Sequence, residues 1–176
     1  MRKDNSAKTP SSFSEDDIVS LNSDDIKKLE EGIINEKSSS YRICLHKNPE
    51  DSFHQMIIAH SKKFYYRPHK HSHKPEAYHM IKGIMGCFIF DDEGLITEKC
   101  VLGEPDIKSD KPFIHRIGSN NWHCTVPLTD IVIFHESKLG PFLKKDDSIY
   151  PDWAPDGSIQ DEYETYIKSL KKYLVY

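Results

Sequence analysis

No stretch of this 176-residue sequence approaches the ~18–20 apolar residues of a membrane-spanning helix. The N-terminus, MRKDNSAKTPSSFSEDD, has no apolar core of the kind a secretory leader needs. Together these absences predict a cytoplasmic protein with no membrane partner. Cysteine is scarce. Cys44, Cys87, Cys100 and Cys124 form no C-x-x-C pair, so neither a zinc ribbon nor a thioredoxin-like redox site is indicated. Reduced thiols packed in strands are the expectation. A basic excess is also missing: 24 Lys and Arg stand against 28 Asp and Glu, a net charge of −4 with histidine neutral. Dispersed lysines on a net acidic chain argue against nucleic-acid binding. Only 37% of the residues are hydrophobic, but nine Tyr, eight Phe and two Trp suffice for the core of one domain.

Histidine is what the sequence does have. There are 10, and His69, His71, His73 and His79 fall close together in a single segment. Residues 1–40 read as a polar N-terminal extension, with residues 1–13 disordered, Ser14 as a candidate N-cap, and a short helix capped by Asn22 or Ser23 with Ile26, Leu29 and Ile33 on one face. Ser38–Ser40 reads as a linker. From Tyr41 onward short apolar runs alternate with turn residues, the pattern of an all-β barrel or sandwich. The expected strands are 41–46, 53–60, 63–69, 76–82, 84–91, 95–102, 113–118, 122–127 and 130–137. Residues 138–157, with three prolines, read as an irregular wrap over a barrel spanning 41–157. Residues 158–176 form a C-terminal amphipathic helix. Ser158 is its expected cap, and the stripe of Ile159, Tyr163, Tyr166, Ile167, Leu170 and Leu174 packs on the barrel or on a second subunit.

The chemistry concentrates in Tyr66–Gly83. Residues two apart in a strand share a face, so Arg67, His69 and His71 are expected to point inward, as are Glu76, Tyr78 and Met80 after the break at Pro75. Two imidazoles and a carboxylate converging inside a barrel are ligands for a divalent metal. His123, after the turn Gly118–Asn121 and beside Trp122, is the best fourth ligand. His73 and His79 are out of phase and belong to the rim. Arg67 either binds an anionic substrate group or pairs with a barrel acid. His54 shares a face with Met56 and Ile58 and is either an acid/base or a core histidine. Tyr78 either donates a proton or fills the barrel. Glu136, with Phe134 on a late strand, is either a base or a support for a ligand histidine. Trp153 closes the barrel mouth or a subunit contact.

The spacing H-x-H-x4-E-x6-G, filled by His69, His71, Glu76 and Gly83, resembles the first motif of the cupins, and His123 falls where their second motif places its histidine. The resemblance implies an all-β cupin double-stranded β-helix (jelly roll) holding one divalent ion, Zn, Fe, Mn or Ni, on those four side chains. The run Tyr66-Arg67-Pro68-His69-Lys70-His71, together with Phe90–Gly94, Trp122-His123, Phe134–Glu136, Gly140-Pro141 and Trp153–Pro155, resembles the WbuC family, whose members sit among bacterial O-antigen and surface-polysaccharide genes. It departs in reading Gly118-Ser119-Asn120-Asn121-Trp122-His123 at the second motif. Asparagine tolerates the left-handed backbone that a turn glycine would supply there. By analogy the expected function is a metal-dependent isomerase or epimerase acting on a small carbohydrate or nucleotide-sugar intermediate. His54, Tyr78 or Glu136 would then move the proton. An Fe(II)-dependent dioxygenase and a non-catalytic small-molecule-binding module are the alternatives. A homodimer is expected, from the general frequency of twofold assemblies and from the sheet pairing of the family.

Overall fold

The computed structural model describes residues 1–4, 9–35, 38–143 and 147–174. Ten strands and two helices follow in the order β1 (Arg2–Asp4), β2 (Ser11–Phe13), α1 (Ser23–Asn35), β3 (Ser40–Cys44), β4 (Phe53–Ser61), β5 (Glu76–Lys82), β6 (Met85–Phe90), β7 (Ile96–Leu102), β8 (Ile114–Ile117), β9 (Trp122–Pro127), β10 (Ile131–Leu139) and α2 (Gln160–Lys171). A large sheet runs β1-β2-β3-β4-β10-β5-β8 and a small one β7-β6-β9. Every pairing is antiparallel except β2 with β3.

The alternation of the strands places the core. Met56, Ile58, Tyr78, Met80, Val132 and Phe134 of the large sheet meet Met85, Cys87 and Leu102 of the small one between the two layers. Outside the large sheet, Leu29 and Ile33 of α1 cover Ile43, Ile57 and Ala59. Outside the small sheet, Ile167 and Leu170 of α2 and the following Leu174 cover Phe88, Phe90, Trp122, Cys124 and Val126. The apolar stripe of α2 is therefore taken up by its own barrel. All four cysteines lie in strands as free thiols.

Several expectations are corrected. The arm expected to be disordered is ordered over Ser11–Phe13, because Phe13 enters the inter-sheet core and its strand pairs with Arg42–Cys44; residues 5–8 of that arm lie outside the described residues. Ser14 caps no helix, and its hydroxyl instead closes a local turn with the Asp16 amide at 3.1 Å. Asn22 does cap α1, accepting from the Asp24 amide at 2.8 Å. Ser158 is not the cap of α2: Ile159 occupies that position with no side-chain bond, while the Ser158 amide donates to Asp156 at 2.8 Å. Trp153 packs 5.2 Å from Phe90 and 6.1 Å from Trp122, on the outer face of the small sheet. The expected strand 63–69 is an irregular segment, bridged to its neighbours only through His69 and Lys70.

At the far end of the barrel His60 is buried, its ring 3.7 Å from that of Phe64 and 5.3 Å from that of Phe134. Burial pushes its pKa down to about 3. The folded state thus binds this proton less readily than the unfolded chain, so its contribution to stability is present above about pH 6.5 and declines as the pH falls toward 3. Urea unfolding at pH 7 and pH 5 is expected to show His60→Phe losing about 2 kcal/mol less than the parent over that interval. Equal losses in the two proteins would refute the assignment.

Candidate metal centre

His69, His71, Glu76 and His123 converge at one end of the barrel, offering ligand atoms that all lie within 4.8 Å of one another. All four are nearly inaccessible to solvent, at 2–4% exposure. Backbone pairing builds the group. The His69 amide donates to the His123 carbonyl at 3.0 Å, and the His123 amide returns the bond at 2.9 Å. The Asn120 amide donates to the His71 carbonyl at 2.7 Å, from a turn in which Asn120 has φ 62°. The asparagine thus takes the left-handed position that the departing motif required. Glu76 opens β5 and is held in register opposite Lys138 of β10.

Each imidazole is oriented through Nδ1. His69 Nδ1 faces the Arg67 carbonyl at 3.2 Å, His123 Nδ1 the Asn121 carbonyl at 2.8 Å, and His71 Nδ1 the Asp147 carbonyl. With Nδ1 donating, the Nε2 lone pair is left to point into the cluster. Nε2 of His71 and of His123 are buried with no hydrogen-bond partner. They lie 3.3 Å and 2.7 Å from Glu76 carboxylate oxygens, near in distance but misaligned for a hydrogen bond. Burial pushes the Glu76 carboxyl up, but the imidazoles of His123 and His71 outweigh it and hold the carboxyl well below its usual range. Burial likewise lowers His123, and Glu76 outweighs that and raises it. Burial, and then His123, hold His69 well below its ordinary value, so the imidazoles of the group do not share one response. Buried, unpartnered nitrogens and a carboxylate aimed at one point fit a divalent cation.

A second layer of polar groups surrounds the ligands. Tyr78 donates to Glu76, and its own ionisation is pushed well up, first by burial and then by Glu76 and Glu136. Glu136 faces Tyr78 across the sheet and accepts no hydrogen bond from a described residue. Burial raises its pKa. Lys138, two residues further along β10, sits 3.3 Å from Asp147 and 3.8 Å from Glu136. Burial lowers the Lys138 pKa, but Glu136, Glu76 and Asp147 outweigh it and keep the ammonium charged. Asp147 also pairs with Lys74 and accepts from the Leu143 amide at 3.3 Å.

The other expected site residues are placed as follows. His54 points inward from β4 but away from the ligands: its Nε2 meets the Pro49 carbonyl at 3.1 Å and its ring stacks on His46 at 4.2 Å. Arg67 donates to the Pro151 carbonyl and lies over the Tyr150 ring at 5.7 Å. Its segment is not a strand, so the alternation that placed it inward does not apply. Lys74, Lys138, Asp147 and Tyr66 were not singled out from the sequence. Lys138 had a signal, since it continues the Phe134, Glu136 alternation into the barrel. Tyr66, whose ring is 4.5 Å from His69, and Asp147 had none.

The chain is similar in fold to solved structures at low sequence identity, one of them described as a cupin superfamily protein. CapF with the inhibitor 3-isopropenyl-tropolone superposes with a TM-score of 0.50 at 16% identity, over 62% of this chain and 31% of that one. The fold is a jelly-roll β barrel. A cupin superfamily protein from Desulfitobacterium hafniense DCB-2 gives a TM-score of 0.43 at 10% identity, over 57% of this chain and 76% of that one. KdgF from Halomonas sp. gives 0.44 at 15% identity, over 57% and 78%. At these identities the likeness concerns the cupin fold alone. Residues 28–102 match a domain of unknown function (DUF6016), less than half of the chain. No curated protein matches the sequence. Among the described residues no helix is long and apolar enough to cross a membrane.

Proposed function

We propose that this cupin is a metal-dependent isomerase or epimerase of a small carbohydrate or nucleotide-sugar intermediate, working in bacterial surface-polysaccharide synthesis. The observation that carries the reading is the placement of Glu136, a half-buried carboxylate that accepts no hydrogen bond from a described residue, on the same face as the candidate ligand Glu76 and two register pairs along. The sugar context rests on the sequence resemblance to the WbuC family. His69, His71, Glu76 and His123 would hold the ion, which supplies Lewis-acid polarisation of a substrate carbonyl. Tyr78 orients Glu76 by its hydrogen bond. Glu136 takes the proton from the carbon next to the carbonyl and returns it to a neighbouring carbon or to the opposite face. His54, with Nε2 engaged by a backbone carbonyl, is left a packing role.

The test is metal content on untagged protein, followed by proton NMR of candidate sugars in D2O. Deuterium should enter at the carbon next to the carbonyl, and Glu136→Gln should slow its entry by about 10²–10⁴-fold while retaining the metal. Oxygen uptake coupled to substrate loss would favour a dioxygenase instead. A folded chain that takes up no metal would sink the reading altogether.

A further inference from the structure

The charges beside the ligand set do not balance. Asp147 is shared between two ammonium groups, Lys74 and Lys138. With a divalent ion in place, that ion and the two lysines together outweigh Glu76, Glu136 and Asp147 by one positive charge. Lys138 is also under-used. An ammonium carries three donors, yet Lys138 gives one hydrogen bond among the described residues, to Asp147 Oδ2 at 3.3 Å. The Glu136 oxygen at 3.8 Å is beyond hydrogen-bond range. Lys138 faces Glu76 directly across the β5–β10 pairing, so its unused donors lie beside the ligands. A lysine held inside a barrel with two spare donors, next to a cation site with surplus positive charge, is suited to an anion.

We propose that the substrate carries a small oxyanion, carboxylate or phosphate, which Lys138 binds beside the metal position. The inference rests on the metal reading and names the substrate class of that site: a sugar acid or sugar phosphate rather than a neutral sugar.

The full chain loaded with cobalt(II) is titrated at constant ionic strength, following the visible bands of the ion. Malonate and inorganic phosphate are the probes, and malonamide is the neutral isostere of the first. Malonate or phosphate is expected to shift the bands saturably, with the stronger of the two identifying the anion, while malonamide shifts nothing. Lys138→Met should weaken that binding by about tenfold or more, and Lys138→Arg should restore most of it. Should the methionine variant not fold, Lys138→Gln and the malonate–malonamide comparison on the parent carry the test. Equal binding by parent and neutral variant, equal response to malonamide, or a loaded protein blind to both anions overturns the inference alone. A chain that takes up no cobalt overturns the metal reading and the inference with it.

Discussion

His71→Ala protein, purified without a tag or a nickel column, is expected to emerge free of metal, whereas the parent carries about one divalent ion per chain. Inductively coupled plasma mass spectrometry reads the difference directly. The size of the loss follows from the geometry. His71 is held on one side by the Asp147 carbonyl at Nδ1 and presents an unpartnered Nε2 on the other, so its loss removes one of the four converging donors. A thermal signature should accompany it. A ligand present at about 100 times its dissociation constant adds about 2.7 kcal/mol to the folded state. For a chain of this length that raises the melting temperature by roughly 5–10 °C. The metal-free variant and the parent after chelation should therefore melt at similar temperatures, both below the loaded parent. A variant that keeps its metal would remove His71 from the ligand set.

The second large effect is expected at Asp147, far from the histidines in sequence. Asp147→Ala leaves the buried Lys74 and the half-buried Lys138 around a missing carboxylate. Removing one partner of a buried ion pair costs about 3–5 kcal/mol, because the remaining charge stays desolvated without compensation. The same carboxylate accepts from the Leu143 amide and so fixes the position of residue 147, whose backbone carbonyl, kept in the variant but no longer held in place, orients His71. The variant should therefore lose stability in urea and also bind metal more weakly, by about 10–100-fold as for other groups that orient a ligand. Replacing all three charged side chains with apolar ones should restore much of the stability but not the metal affinity, separating the two roles. A stability loss below about 1 kcal/mol would show that the lysines find other partners or water.

The convergence of four side chains able to hold a metal, and the fold class, were legible in the sequence because both depend on short-range spacing. The interval between His69, His71, Glu76 and Gly83 fits a turn between two inward-facing stretches, and the alternating strands carried the barrel. Even the departure at Asn120 was readable, since its positive φ is a property that asparagine tolerates locally. The segment before the first histidines was less legible. Its apolar and aromatic residues resemble a strand, but the backbone pairing starts only at its end, where His69, Lys70 and His71 bond to His123, Ile149 and Asn120, which no local pattern can indicate.

What the sequence by itself determined is therefore an all-β barrel or sandwich, the two flanking helices and four side chains with metal-binding chemistry at workable spacing. Only the tertiary structure decided which polar groups share the interior with them. It turned His54 onto His46 and a backbone carbonyl, sent Arg67 toward Pro151, and ordered the arm around Phe13. It also gathered Lys74, Lys138 and Asp147 beside Glu76 and Glu136. The physical reason is that periodicity fixes the face a side chain leaves from, whereas burying charge is settled by partners from distant segments, which become neighbours only when the two sheets close.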